Sequence, residues 1–375
     1  MNFDLTDERQ MLQDTLRRFL ADRYTTADRN AIIDSEAGYS PEIWAQLAEL
    51  GVLGALFSEA DGGFGGAGFD ITTVFEALGR AGVVEPVLES AVLGGGLIAA
   101  LGDETQNALV AEVIGGGLHL AFAHGEPASR YDLSRVETTA RADGDDIVLN
   151  GRKAVVANAE ASHHLIVSAR ERGAADDTDG ISLFLVPAGV AGLGLRGYPM
   201  LAGGRAAEVT LDEVRLPSSA RLGAAGGAFP AIAERIAAAN VALAAETLGA
   251  METAVELTRD YLMTRQQFGR PIGTFQALAH RFSDLLIELE QARSGVINAA
   301  GHLGHGDRDR QIAAARNLIG RVGRLVAEES IQMHGGIAMT QEYELAHIAK
   351  RIVMNDHRLG DTDYHMERFI ALSAA

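Results

Sequence analysis

Two short stretches in the last third of the chain hold the residues best suited to bind a ligand. The first is the run RQQFGRPIGTFQ, residues 265–276. Gly269 and Pro271 are residues that end a helix, so Arg265 falls in the last turn and Gln276 opens the next helix. The stretch is either a basic helix end followed by a turn, or a place where Arg265 and Gln276 meet an anionic ligand such as a dinucleotide.

The second stretch is QMHGGIAMTQE, residues 332–342. Paired glycines at a helix end expose backbone N–H groups and let a ligand approach the chain closely. The same pair is also typical of an ordinary helix stop. Residue chemistry alone leaves both interpretations open.

Two other motifs are weaker indications of a binding site. Gly63–Gly68 has the spacing G-x-G-x-x-G, but a dinucleotide site needs a preceding strand and a parallel βαβ frame. We expect a loop between helices there. His302 and His305 could bind a metal if both lay on one helix face, but the glycines around them favour a solvated turn.

The elements that would position these residues change along the chain. Residues 1–118 have helical spacing, with Pro41 opening one helix and another expected from about 70 to 79. Residues 119–225 contain short strand-like runs, and Asn150-Gly151 predicts a tight hairpin between residues 146–149 and 152–156. Other strands are expected over 164–169, 181–187 and 207–211.

Long helical patterns fill residues 226–375. The longest is expected from about Ile232 to Arg265, and others over 276–300, 309–334 and 342–357. Their number and length suit a four-helix bundle.

Composition excludes several classes of protein. The 375 residues are 47% hydrophobic and 22% charged, as in an ordinary globular protein. The formal net charge of −19 disfavours nucleic acid and anionic membranes as partners. Cysteine is absent, which excludes disulfides and thiol nucleophiles. With neither a long apolar run nor a signal-like start, a cytoplasmic location is expected.

Taken together, the 265–276 and 332–342 stretches closely resemble two motifs of the acyl-CoA dehydrogenase family. The resemblance covers essentially the whole chain and implies an α+β multidomain fold. An N-terminal all-α domain would span 1–118, a middle β-barrel 119–225 and a C-terminal four-helix bundle 226–375. This is the order of the patterns described above.

The resemblance implies FAD as the cofactor, lying between the barrel of one subunit and the bundle of its partner. Arg265, Phe268 and Gln276 match the residues that contact the partner's FAD. The paired-glycine turn is similarly placed and adds Gln332, Gly335 and Gly336. A shared site implies at least a homodimer, and the family is usually tetrameric.

The flavin-ring end departs from the family's pattern. The segment HGEPASRYD (124–132) resembles a family segment that faces flavin and thioester, and it supplies Glu126. In KAVVAN (153–158), Val155 replaces the ring-covering Trp and Ala157 replaces a hydroxyl residue near flavin N5. Backbone N–H groups would then have to hold the ring.

Neither usual position of the family's catalytic base holds a Glu. Counting forward from Gly335 places one position at Leu359, whereas counting back from Arg368 places it at Asp361. The alternative position, on the bundle's first helix, is Ala239. Asp361 is the best substitute as catalytic base, although it could equally be a loop carboxylate that faces water. His365 is a second candidate.

The implied reaction is α,β-dehydrogenation of an acyl-CoA, with the α-proton passing to a carboxylate and the β-hydride to flavin N5. An electron-transferring flavoprotein would then accept the electrons. Two alternatives remain. The chain could be a flavin-binding subunit that lacks its own base and works with a partner in a heterotetramer, since parts of it resemble the small subunit of pimeloyl-CoA dehydrogenase-type enzymes. It could also be an oxygen-using oxidase or monooxygenase of the same fold.

Overall fold

The chain runs from helices through strands and back to helices in a computed structural model that describes residues 5–374. The first helices are α1 (Asp7–Arg23), α2 (Thr26–Ile33), α3 (Pro41–Glu49), α4 (Gly68–Ala81), α5 (Gly96–Leu101) and α6 (Glu104–Ile114). The strands are β1 (Leu120–Ala123), β2 (Thr139–Asp143), β3 (Asp146–Ala157), β4 (His164–Arg170), β5 (Ile181–Pro187), β6 (Leu193–Pro199), β7 (Arg205–Pro217) and β8 (Arg221–Leu222).

The last third of the chain holds the long helices. They are α7 (Phe229–Thr264), α8 (Gln276–His302), α9 (Arg308–His334), α10 (Glu344–Asp356) and α11 (Thr362–Ala374). A two-strand ribbon of β9 (Gln266–Gln267) and β10 (Arg270–Pro271) separates α7 from α8.

Local sequence explains where several helices begin. The Thr6 hydroxyl accepts a hydrogen bond from Arg9 N, and the Ser40 hydroxyl accepts one from Ile43 N just before Pro41. The predicted long helices are confirmed with small shifts at their ends. The final helix α11 was not predicted.

One compact unit, the helical unit, comprises residues 5–31, 67–83 and 240–374. Within it α4 and α7 meet backbone to backbone. A Cβ atom on Gly79 would lie 1.9 Å from the Glu246 carbonyl oxygen, and one on Gly249 would lie 2.0 Å from that of Glu76. Only glycine permits this crossing, because any side chain would overlap the facing helix.

The second unit, the β unit, comprises residues 32–66 and 84–239. Its sheet has the order β6-β7-β3-β2-β4-β5-β8, and β1 pairs in parallel with β4. Side chains from most of the strands form one apolar core. Central members of this core are Leu149, Leu165, Phe184, Val209 and Val214.

The hairpin predicted at Asn150-Gly151 is wrong. These residues lie inside the continuous strand β3, where the pairing with β7 shifts register between Leu149 and Gly151. The Asn150 amide group donates to Glu213 Oε1 (2.7 Å) and its carbonyl oxygen accepts from Glu213 N (2.9 Å), so the residue bridges strands instead of turning the chain. The actual β2–β3 turn is at Gly144, whose φ is 66°.

The strands predicted over 164–169, 181–187 and 207–211 are confirmed. The α+β organisation is confirmed as well: along the chain, helices come before and after a middle β region. The domain boundaries at 118 and 225 remain predictions. Across residues 5–374, no helix combines the length and the apolar character that crossing a bilayer requires.

Candidate functional site

The predicted ligand-binding stretch 265–276, here called the elbow, projects from the end of α7. Strands β9 and β10 pair antiparallel, and the chain reverses at Phe268 and Gly269, whose φ angles are 53° and 78°. Ile272 N donates to the Arg265 carbonyl oxygen (2.8 Å) and closes the base of the elbow. Phe268 is 92% exposed at the tip.

The charged side chains of the elbow differ in how they are engaged. The Arg270 guanidinium lies over the Phe275 ring, 4.1 Å from its centre. Arg265 is exposed and forms no ion pair with any side chain of residues 5–374. Gln276 begins α8, as predicted, and is also exposed. The permanent positive charge of Arg265 is therefore available to bind an anionic ligand.

The second stretch forms an exposed turn directly after α9, here called the glycine turn (Gly335–Met339). Gly335 has φ 73°, and its N–H donates to the Ile331 carbonyl oxygen. No described atom comes within 4 Å of the place where a Cβ on Gly335 or Gly336 would lie. Both glycines thus border open space, which is what a closely approaching phosphate group needs.

The structure brings the elbow and the glycine turn to one end of the helical unit. The ring of Tyr261 in α7 stacks on the ring of His334 in α9, with centres 4.5 Å apart. Arg265 N donates to the Tyr261 carbonyl oxygen (2.8 Å), and Gly335 follows His334 directly. His334 is buried with Nδ1 bonded to Ser330 O, and burial lowers the pKa of its imidazole.

The predicted residue Glu126 lies in the β unit, where its carboxylate is fully engaged. Lys153 Nζ donates to Glu126 Oε1 at 2.7 Å, and Thr138 N donates to the same oxygen at 3.0 Å. Glu137 N donates to Oε2 at 2.7 Å. Despite burial, the Lys153 charge and these donors lower the pKa of Glu126. Its side chain therefore fixes the segment after β1.

Val155 stands at an irregularity of β3. Its φ is 53°, which is rare for a β-branched residue, and the pairing with β7 shifts register between Lys153 and Val156. The side chain is 62% exposed. Strained residues of this kind cost on the order of 1–3 kcal/mol and cluster at functional sites. Ala157 lies half-buried two residues further along β3.

Asp361 caps α11. Its Oδ1 accepts a hydrogen bond from Tyr364 N (2.9 Å), and its carbonyl oxygen accepts one from His365 N (3.0 Å). The preceding Leu359 and Gly360 both have positive φ, at 57° and 119°. The structure thus gives the predicted base a structural task. Ala239, the alternative position, is completely buried in α7.

Two buried residues determine the structure around the loop between α10 and α11, a role that the sequence does not indicate. Arg316 in α9 donates to the carbonyl oxygens of Asn355, Arg358 and Gly360, so it fixes the shape of the loop. His365 is also buried, and desolvation together with the nearby Arg316 and Arg368 lowers its pKa to about 3. His365 is consequently neutral at physiological pH. Sequence reasoning considered His365 only as a second candidate base and missed Arg316, because the carbonyl groups that Arg316 contacts lie 39 to 44 positions further along the chain.

The weaker motifs serve local structure. Gly63 packs against the carbonyl oxygens of Gly54 and Phe57, in a loop that leads into α4. His302 Nδ1 is bonded to the Asn298 carbonyl oxygen at the end of α8. Within residues 5–374, no group of three His, Asp or Glu side chains is arranged to hold a metal ion.

Family comparisons agree with the order of the elements. The acyl-CoA dehydrogenase N-terminal domain matches residues 6–114, the middle domain 121–214 and the C-terminal domain 226–371. The chain belongs to the acyl-CoA dehydrogenase family. It is an oxidoreductase that acts on acyl-CoA, and its cofactor is FAD.

Individual relatives are similar over nearly their whole length. The probable acyl-CoA dehydrogenase YngJ of Bacillus subtilis is 29% identical over 350 residues, which is 92% of each chain. Among solved structures, a variant of the Tcur3481–Tcur3483 steroid ACAD is 31% identical, with a TM-score of 0.88 over 98% of both chains. The FAD complex of PigA is 25% identical, with a TM-score of 0.92 over 100% of this chain and 99% of the other.

The residues present fit the nucleotide end of FAD. Arg265 supplies an uncommitted guanidinium, and Gly335 and Gly336 border open space at the same end of the helical unit. At the predicted ring end, Val155 and Ala157 provide neither an indole ring nor a hydroxyl group, and the Val155 N–H donates to Glu208 Oε1 (3.4 Å).

Proposed function

We propose that this chain performs the α,β-dehydrogenation of an acyl-CoA thioester, with the elbow and the glycine turn holding the nucleotide end of FAD. The observation that carries the proposal is the convergence of an exposed arginine and two exposed glycines, far apart in sequence, through the Tyr261–His334 stack. Bound FAD supplies the acceptor for the hydride that leaves the substrate's β-carbon.

Each residue of this end has a distinct task. The Arg265 fork pairs with the diphosphate, and the lack of side chains at Gly335 and Gly336 lets its oxygens come close to the chain. Phe268, Gln276 and Gln332 line the adenosine side. Because the elbow is exposed and its Phe268 side chain is 92% accessible, we assign the nucleotide it holds to a second subunit, either another copy or a related chain, as the family resemblance implies. Such a site needs a dimer at least.

In the β unit, the backbone around Val155 and Ala157 faces the flavin ring, and Glu126 holds the neighbouring segment in place. Asp361 takes the α-proton of the thioester. It does so while one of its oxygens caps α11, since Tyr364 N is bonded to Oδ1. Removal of the α-proton places negative charge on the thioester carbonyl, which backbone N–H donors must stabilise.

A second candidate function is that of a flavin-binding partner subunit without its own base. Leu359 and Ala239 stand where an acid is expected, and the Asp361 carboxylate already serves as a helix cap. The similar steroid ACAD is named for two components, Tcur3481 and Tcur3483, which favours a heteromeric form for this chain too. We further propose an electron-transferring flavoprotein as the electron acceptor, since one relative is named a subunit of a caffeyl-CoA reductase–Etf complex.

One experiment separates the two functions. The purified chain, loaded with FAD, is mixed anaerobically with a series of acyl-CoA thioesters while the visible flavin absorbance is followed. Loss of absorbance in the wild type supports dehydrogenation by this chain. Retained FAD that no thioester reduces would refute that and leave the partner-subunit function.

Two variants then test Asp361. Asn caps a helix about as well as Asp, so Asp361→Asn keeps α11 in place while it removes the base. We expect this variant to bind FAD normally and to lose flavin reduction by at least about 100-fold, in line with the usual contribution of a general base. Asp361→Ala, which removes both the helix cap and the base, serves as the comparison. Unchanged flavin reduction in Asp361→Asn would exclude Asp361 from the reaction.

A further inference from the structure

We propose that Lys153 is a positioning residue for the flavin-ring end of the site. Its ammonium group fastens the segment that carries Glu126 to the irregular stretch of β3 that carries Val155 and Ala157. The inference rests on the proposed function, since it takes these two segments to face the flavin. It assigns a role to a residue that does not itself touch the cofactor.

Lys153 is completely buried, with 0% of its side chain exposed. Each of its three N–H groups has an acceptor: Glu126 Oε1 at 2.7 Å, Ser168 Oγ at 3.0 Å and the His124 carbonyl oxygen at 3.2 Å. These acceptors lie on β4 and on the segment that follows β1. One ammonium group therefore joins three parts of the β unit.

The network continues beyond the ion pair. Ser168 Oγ accepts from Lys153 and is also hydrogen-bonded to His124 Nδ1, 2.8 Å away. Burial lowers the pKa of His124 to about 3, and its neutral ring stacks on Phe122 with centres 5.2 Å apart. Every member of this chain of hydrogen bonds is engaged, which fixes the orientation of the segment from Phe122 to Glu126.

Stability alone does not explain a charge in this place. Moving an ammonium group out of water is costly even when it is paired, and an apolar side chain of similar length would fill the same space without that cost. Burial accordingly lowers the pKa of Lys153 to about 8. What the ion pair supplies beyond packing is a fixed geometry.

The ion pair of Lys153 constrains the backbone next to the strained residue Val155. Lys153 lies two positions before Val155, and Ala154 N donates to the Gly125 carbonyl oxygen at 2.8 Å. A backbone bond and a buried ion pair thus join the two segments side by side. A β-branched residue keeps a positive φ only where its surroundings hold it there, and these two links constrain the chain just before Val155, while Val155 N itself donates to Glu208 Oε1 at 3.4 Å.

The test uses Lys153→Met and the double variant Lys153→Met/Glu126→Gln. The double variant removes both charges, so it avoids leaving a buried carboxylate unpaired. Lys350→Met is the matched control, because Lys350 is the only other lysine in the sequence. The measurements are thermal unfolding, FAD affinity, and the visible circular dichroism of bound flavin, each made on the full chain.

We expect the double variant to unfold within a few degrees of the wild type, yet to bind FAD at least about 10-fold more weakly and to show an altered flavin spectrum. Glu126→Gln should add little to the loss of affinity in the Lys153→Met background, because the two residues act as one unit. A double variant with unchanged affinity and spectrum would overturn the inference alone. A wild-type chain that takes up no FAD would overturn the proposed function and the inference with it.

Discussion

Phe268 is the residue whose setting is hardest to explain within a single chain. It holds an aromatic ring 92% exposed to water on a backbone with φ 53°. Both features are unfavourable in isolation, because the ring gains no burial and a bulky residue rarely adopts that conformation. A second molecule that covers the ring would bury it and so offset both costs, which agrees with the shared nucleotide site proposed above.

Arg265 is the residue on which binding of the cofactor should depend most. We expect Arg265→Ala to weaken FAD binding by roughly 10- to 150-fold, because a hydrogen bond to a charged group contributes about 1.5–3 kcal/mol. Equilibrium titration of the apoprotein with FAD measures the change.

The matched control is Arg270→Ala. Arg270 lies on the same elbow and carries the same charge, but its guanidinium is engaged over Phe275. Equal losses in the two variants would mean that the elbow contributes general positive charge, and Arg265 would then have no specific role.

At this scale the sequence predicted some roles and missed others for a physical reason. Arg265, Gly335 and Gly336 could be singled out as candidates because their chemistry is local: a charge, and two positions without a Cβ. Only the family resemblance favoured a ligand site over an ordinary helix end, and their binding roles remain predictions. The capping role of Asp361 could not be foreseen without knowing that α11 begins at Thr362. The engagement of Glu126 likewise depends on a lysine 27 positions away that only the fold brings near.

Among the elements, the crossing of α4 and α7 is the most sensitive to substitution. We expect Gly79→Ala to lower the free energy of unfolding by about 1–3 kcal/mol, because the new methyl group would overlap the Glu246 carbonyl oxygen and force the helices apart. Urea denaturation of the variant and the wild type measures the difference.

Gly304→Ala is the control for this element. A Cβ there has no described neighbour within 4 Å, and the residue is exposed in the turn after α8. Should both alanine variants prove equally stable, close backbone contact between α4 and α7 would not be the reason for glycine at position 79.

Elements were predicted well where periodicity decides and poorly where tertiary contacts decide. The helices α3, α7, α8 and α9 follow from apolar spacing and end signals. The Asn150-Gly151 pair is a strong hairpin signal, yet the Asn150 side chain finds its partner in Glu213 on β7, a residue far along the chain. Helix α11 was missed because the glycine and aspartate just before it are typical of a loop and mask the helical pattern that follows.

For the whole molecule, buried histidines predict a loss of stability in mild acid. Burial lowers the pKa of His119 to about 4 and those of His124 and His365 to about 3. The unfolded chain takes up these protons below pH 6.5 while the folded chain does not, so the free energy of unfolding falls as pH falls from 6.5 toward 4. Each histidine should contribute a loss of about 2 kcal/mol by pH 5.

Urea denaturation at pH 7 and pH 5 measures this loss, with His365→Leu as the comparison. Neither ring nitrogen of His365 has a hydrogen-bond partner in the described chain, so the apolar residue should cost little at pH 7 and make the pH dependence shallower. An identical pH dependence in the variant would show that His365 is charged in the folded state or does not contribute.

The overall class could be predicted from the order of patterns along the chain, helical, then β, then helical, together with two stretches that resemble motifs of the family. What the order could not reveal is that α1 and α4 belong to one compact unit with residues 240–374. That grouping depends on contacts such as Gly79 with α7, and no local pattern encodes a contact between residues so far apart.

This grouping has a consequence for how the polypeptide matures on the ribosome. Residues 5–31 and 67–83 emerge first, but the segment that completes their unit begins only at Asn240. At a synthesis rate of about 5–20 residues per second, roughly 10–30 s pass between the synthesis of α4 and the start of the segment that completes its unit. During that interval, while the β unit is being made, the surface of α4 that later packs on α7 has no partner helix.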